Sequence, residues 1–146
     1  MGAYGSAAGV ATVIVGLGAL ALAWAVRTQT RPAAAVLAVF GAAKLVQAFF
    51  PIDPPGVETS TGLVHNVLGN IAFFALPLAA VLAVRALAPR WRWAPLAATG
   101  LVVAVVAVLA ADLHGAFGVA QRVYLVGCSL WMLAVGVANL RSRSMS

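Results

Sequence analysis

The chain has 146 residues, of which 64% are hydrophobic and 8% charged, and its mean hydropathy is +1.05. A water-soluble domain carries about 25% charged residues, so this composition excludes a compact soluble globule and predicts an integral membrane protein. The net charge of +6 does not indicate nucleic-acid binding, because the basic residues lie between apolar runs rather than along one face. The length fits one transmembrane domain, residues 1–146.

Five apolar stretches are each long enough for a membrane-spanning helix, which takes about 20 residues. They predict an all-α fold, a bundle of five transmembrane helices with spans at about 8–26, 33–50, 63–84, 94–112 and 117–140. The connections are short and polar and leave no room for a soluble domain. In the first span, Gly16 with Ala8 and Thr12 favours close helix packing.

The charged residues divide between the two sides of this bundle. Seven arginines fall in connections on one side: Arg27, Arg31, Arg85, Arg90, Arg92, Arg141 and Arg143. Basic connections stay in the cytoplasm, so we expect a multi-pass protein of the cell membrane with its N-terminus outside and its C-terminus inside. The excess of arginine over lysine, with abundant alanine, glycine and valine, is typical of a GC-rich bacterial genome.

Aromatic residues mark both predicted interfaces with water, as aromatic belts do. The inner set is Trp24, Trp91 and Trp93, and the outer set is Tyr4, Phe49, Phe50, Phe117 and Tyr124.

The second span and the loop after it bring polar groups to the outer end. Lys44 and Gln47 are three residues apart and therefore share a helix face. The prolines of "PIDPPG" fix backbone angles, so the loop holds Asp53 in a stiff segment. Ser60 or Thr61 is the expected cap of the next helix.

The third span begins with a polar stripe of helical spacing, formed by Gly62, His65, Asn66, Gly69 and Asn70. The glycines in this stripe allow a neighbouring backbone to approach closely. Further along, Pro77 leaves the carbonyl of Phe73 without its helical donor and is expected to bend the helix.

All three acidic residues and both histidines thus lie at the outer end, where we predict an extracytoplasmic polar pocket. Its residues are Lys44, Asp53, His65, Asn66, Asp112, Gln121 and Arg122. A purely structural alternative makes Lys44, Arg122, Asp53 and Asp112 ion pairs that close the bundle.

No cofactor is favoured by the sequence, but two are compatible with it. Zinc would take His65, His114, and Asp53 or Asp112 as ligands and leave a position for water. A haem between His65 and His114 is the other option, and it is weakened because His114 is predicted to lie in a short loop.

Two stretches, "FPIDPPGVETSTGLVH" (50–65) and "GVAQRVYLVGCSLW" (118–131), resemble the bacterial and archaeal membrane family called domain of unknown function 998, over about residues 33–140. The resemblance implies a small polytopic protein with no assigned activity. It implies a polar cluster made of Pro51, Asp53, Gly62, His65, Gln121 and Arg122. Members are generally longer, with a further helix upstream, so it also implies a shortened member or a start inside a longer chain.

The expected function is a binding or accessory subunit of a membrane assembly. Its partners would be the lipid bilayer, other membrane subunits, and a lipid or small-molecule ligand. The alternative is a metal-dependent intramembrane hydrolase of a lipid-like substrate, with His65 and His114 as ligands and Asp53 or Asp112 as ligand or general base. A transporter is disfavoured, since five spans in one chain give no inverted repeat.

Overall fold

The computed structural model describes residues 3–54, 56–83, 100 and 114–144. Within these residues all regular secondary structure is helical, which confirms the all-α prediction for this part of the chain. The helices are α1 (Ala3–Val26), α2 (Arg31–Gln47), α3 (Ser60–Ala83) and α4 (His114–Ser144). They correspond to four of the five predicted spans. The remaining span, at about 94–112, lies outside the described residues apart from the helical Gly100.

The observed helix ends follow local sequence signals. Pro32 lies in the first turn of α2, where its missing N–H group is no loss. At the start of α3 the cap is Thr59, not Ser60 or Thr61 as predicted: the backbone N–H of Gly62 donates to Thr59 Oγ1 at 3.1 Å. The prediction of His114 in a loop was also wrong, because α4 begins at this residue. The glycines after it cost about 1 kcal/mol each in a helix and do not prevent it.

α1 and α2 pack through an unusually close contact of two glycines. A Cβ atom added to Gly41 would lie 2.8 Å from the carbonyl oxygen of Gly16 and 2.9 Å from Leu20. A Cβ added to Gly16 would lie 3.0 Å from the carbonyl oxygen of Gly41. The helices therefore meet backbone to backbone, which confirms the expected packing role of Gly16.

α2 also packs along α3, and alanine dominates the buried surface of the helices. The buried alanines are Ala19, Ala23, Ala33, Ala34, Ala43, Ala72, Ala75, Ala79, Ala80 and Ala83. Small side chains allow helices to approach closely, which increases their van der Waals contact. This core fixes the position of the polar first half of α3 beside the last turns of α2.

α4 contacts α1 less extensively than α2 does. Among the described contacts, Tyr124 joins α4 to α3. The hydroxyl of Tyr124 donates to the carbonyl oxygen of Phe73, and the two rings lie 4.5 Å apart. This is the carbonyl that Pro77 leaves without a helical donor. Tyr124 is only 2% exposed, so it is a packing residue between helices rather than a surface residue of the outer aromatic belt.

Two of the described helical segments, Ala7–Val26 and Ser60–Ala83, are long and apolar enough to cross a membrane. α2 is shorter and contains Lys44, and the apolar part of α4 is the shorter segment Val123–Val137. These are properties of length and composition, so the five-helix bundle and its orientation stay predictions.

Candidate functional site

A cavity of about 650 Å³ lies between the four helices. Its volume is within the range of small-molecule pockets, roughly 300–1,000 Å³. Residues of α1, α2, α3 and α4 line it, together with Ile52 of the loop between α2 and α3. Seven of the lining residues are exposed: Ala11, Ile52, Asn66, Asn70, Phe74, Leu125 and Ser129. The cavity is therefore open to the surface both at the start of α3 and beside α4.

Polar side chains gather at one end of the cavity. They come from the last turns of α2 and the first turns of α3, which lie together because the two helices run in opposite directions. Lys44, Gln47, His65, Asn66 and Asn70 all line this end. The lysine and glutamine share a face, as their spacing predicted, since Lys44 Nζ donates to Gln47 Oε1 at 2.9 Å.

Gln47 connects this lysine to α3. Its Nε2 donates to the backbone carbonyl of His65 at 3.1 Å, and its side chain is 8% exposed. A Cβ atom on Gly69 would lie 2.9 Å from Gln47 Nε2, so the glycine leaves the room that the amide occupies. Because both ends of the amide are bonded, the oxygen is fixed toward Lys44. The amine is thereby held at the cavity wall.

The imidazole of His65 is oriented by the end of α2. Its Nδ1 lies 2.6 Å from the carbonyl oxygen of Phe50. A carbonyl oxygen only accepts hydrogen bonds, so Nδ1 carries the proton. In the neutral ring Nε2 is then an acceptor, and no described residue donates to it. The histidine is thus prepared to accept a hydrogen bond or to bind a metal ion through Nε2.

The other end of the cavity is apolar. Phe40, Phe73, Leu76, Cys128 and Met132 line it. Eleven residues separate His65 from Leu76, which corresponds to about 16 Å along α3. The cavity therefore changes from polar to apolar along its length, as a site for an amphipathic molecule does.

Asp53 stabilises the loop before α3. Its Oδ2 accepts a hydrogen bond from the backbone N–H of Thr59, and its Oδ1 accepts one from the Thr59 hydroxyl, each at 2.7 Å. The carboxylate also lies against Gly62, where a Cβ atom would overlap it. An acid at a helix N-terminus interacts favourably with the helix dipole. Asp53 thus belongs to the start of α3 and is not among the residues that line the cavity.

Of the predicted pocket residues, the structure brings Lys44, His65 and Asn66 together at the cavity. Asp112 lies outside the described residues. His114, Gln121 and Arg122 belong to α4, and their side chains lie outside the described part of the structure. No group of three or more potential metal-binding side chains occurs within the described residues.

Some cavity residues were not predicted from the sequence. Cys128, Ser129 and Met132 belong to an apolar helix, where nothing in the spacing distinguishes them. The sequence predicted Thr12 for helix packing and Tyr124 for the outer aromatic belt, but not for a cavity. A signal did exist for Tyr124, since the free Phe73 carbonyl requires a donor from another helix. The orientation of α4 had to be known before that donor could be named.

The described structure is that of a small all-α protein with apolar helices around a cavity that is polar at one end. The model of the family described as "Protein of unknown function (DUF998)" matches residues 1–138. This chain belongs to that family, which confirms the resemblance seen in the sequence. No curated protein and no solved structure matches the chain.

Proposed function

We propose that this protein is an integral membrane protein that binds an amphipathic small molecule or lipid in the cavity between its helices. The observation that carries the proposal is the polarity change inside a cavity of about 650 Å³. Lys44, Gln47, His65 and Asn66 would contact the ligand's polar head, and the apolar end would take its hydrocarbon part. The protein would act as a binding or accessory subunit of a membrane assembly.

The membrane part of this proposal is supported by the outer surface of the helices. Large apolar side chains on α3 are exposed in a stripe of helical spacing: Leu63, Val67, Ile71, Phe74 and Leu78. An apolar stripe of this length is unfavourable in water and favourable against lipid. A ligand could enter sideways from the bilayer, because Phe74 belongs both to this stripe and to the cavity lining.

The proposed orientation places the polar end on the extracytoplasmic side of the cell membrane. The C-terminal end of α1 is then cytoplasmic, and Arg27 supports this. Its guanidinium lies 3.3 Å from the ring centre of Trp24, as in an interfacial anchor. The test uses Thr28→Cys and Val57→Cys, which lie at opposite ends of α2, in a background without Cys128. We expect an impermeant maleimide to label Val57→Cys in intact cells and Thr28→Cys after permeabilisation. Labelling of both from one side contradicts the orientation.

Ligand binding is tested by native mass spectrometry of protein extracted in polymer nanodiscs. We expect the wild type to retain an amphipathic molecule. A phenylalanine at Ser129 would extend into the cavity mouth, so Ser129→Phe should lose the ligand. Leu130→Phe is the matched control, since Leu130 is exposed and does not line the cavity. Equal occupancy in both variants, or none in the wild type, contradicts the proposal.

A metal-dependent hydrolase is the second candidate, and the observation that favours it is the acceptor Nε2 of His65. In that case, purified protein contains metal in stoichiometric amount, and the combined change of His65→Ala and His114→Ala removes it. Metal content independent of both histidines contradicts the hydrolase. A co-purifying membrane protein and no bound metal favour the accessory subunit.

A further inference from the structure

We propose that the head group bound at the polar end is an anion, a carboxylate or a phosphate, and that Lys44 is the residue that selects it. This inference rests on the proposed function, because it names the chemical class of ligand for the same cavity. Gln47 is a positioning residue in this account: it holds the amine of Lys44 without neutralising it.

The first support is the charge of the cavity lining. Lys44 is the single charged residue among the described residues that line it, and none of them is acidic. Among the described residues the acids are Asp53 and Glu58; neither lines the cavity, and the carboxylate of Asp53 accepts its hydrogen bonds from Thr59. A cation that is withdrawn from water without a counter-ion is unfavourable. An anionic ligand would supply that counter-ion.

The second support is the geometry of the amine. A lysine ammonium has three N–H donors, and Nζ uses one of them toward Gln47 Oε1. The remaining donors are available to a ligand at the cavity wall. Gln47 cannot withdraw its oxygen without breaking the bond from its Nε2 to the His65 carbonyl. The partner that fixes the lysine is thus a neutral amide, which leaves the other N–H donors of the amine to a ligand.

The third support is size. At roughly 30 Å³ for each water-sized group, about 650 Å³ holds on the order of twenty heavy atoms. This corresponds to a small head group and a single hydrocarbon chain of moderate length. The ligand class is therefore a single-chain amphiphile with an anionic head.

The experiment compares three probes that share one chain, namely laurate, lauryl alcohol and lauryltrimethylammonium. Each is titrated into wild-type protein in phosphatidylcholine nanodiscs, and affinity is measured by native mass spectrometry and by the shift in unfolding temperature. We expect laurate to bind at least about tenfold more tightly than the alcohol, as a charge-assisted hydrogen bond would give. The cation should bind most weakly. Acetate and inorganic phosphate are titrated in the same way. If either binds as tightly as laurate, the ligand is a free anion rather than a lipid.

The variants assign the selectivity to Lys44. Lys44→Gln should lower laurate affinity to that of the alcohol, and Lys44→Arg should preserve the preference. Gln47→Glu keeps the lysine but pairs it with a carboxylate, so it should also abolish the preference. Arg27→Gln is the control, because it removes an equal charge from an exposed position outside the cavity lining.

The outcomes separate this inference from the function on which it rests. If all three probes bind with equal affinity, the anion selectivity is wrong and the amphiphile site stands. If the alcohol binds best, the head group is neutral and the inference is likewise wrong. If none of the probes binds, the proposed function fails with it. A preference for laurate that survives Lys44→Gln overturns the role of Lys44.

Discussion

The contact of α1 with α2 and the open gap beside Tyr124, which is part of the cavity between the four helices, are opposite solutions to packing apolar helices. In the first, Gly16 and Gly41 bring two backbones together and leave no space. In the second, one tyrosine reaches across and a cavity of about 650 Å³ remains beside it. The side chains nearest to the closed contact are Leu20 and Leu45. The open gap is where the described polar groups of α2 and α3 collect.

The comparison indicates that small residues alone do not decide how closely two helices pack. α3 is rich in buried alanine, yet that surface is directed at α2, and its other side is exposed and apolar.

The largest effect is expected at the closed contact. Gly41→Leu places a side chain against the Gly16 carbonyl and Leu20, so the helices must separate. We expect a loss of about 3 kcal/mol or more in the free energy of unfolding, measured by denaturation in detergent. Gly18→Leu is the control, because a Cβ there meets nothing within 4 Å. Equal losses in both variants would show that the close contact is not what stabilises the pair.

Loss of the hydrogen bond from Tyr124 to the Phe73 carbonyl should reduce stability less, and by an amount that depends on Pro77. Tyr124→Phe removes the donor to the Phe73 carbonyl and should cost about 1–3 kcal/mol, the penalty of a buried unpaired polar group. Pro77→Ala restores an N–H group to the same carbonyl. In that background, we expect Tyr124→Phe to cost less than half as much. A double-mutant cycle measures the coupling, and additive losses would contradict the shared acceptor.

The start of α3 should respond more weakly. Thr59→Ala removes the cap of the helix and one of the two bonds to Asp53, so we expect a loss of about 1 kcal/mol. Thr59→Ser keeps the hydroxyl and should remain within about 0.5 kcal/mol of the wild type. Thermal unfolding of the two variants side by side provides the measurement. A serine variant as unstable as the alanine variant would rule out the capping role.

Sequence reasoning was most successful where one helix decides the outcome. The shared face of Lys44 and Gln47 follows from a spacing of three residues, and the hydrogen bond between them agrees with it. The need for a donor at Phe73 follows from Pro77 in the same way. Both inferences require only the geometry of a single helix.

It was least successful for helix ends and for contacts between residues that are far apart in the sequence. The cap of α3 is Thr59 because Asp53, six residues earlier, accepts from it and fixes its place. Propensity gave no reason to prefer it to Ser60. The sequence placed Asp53 and Lys44 at the same side of the membrane and therefore in one pocket. Only the tertiary packing shows that Asp53 belongs to the loop and Lys44 to the cavity.

The central claim is that the gap beside Tyr124 is a ligand site, and the chain's single cysteine reports on it directly. Cys128 lines the apolar end of the cavity and is 4% exposed. Methyl methanethiosulfonate is small enough to enter, so we expect it to modify Cys128 in folded wild-type protein, and saturating laurate to slow the reaction at least about tenfold. Lauryltrimethylammonium should protect far less. An unchanged rate of modification under conditions where laurate is bound would contradict the account.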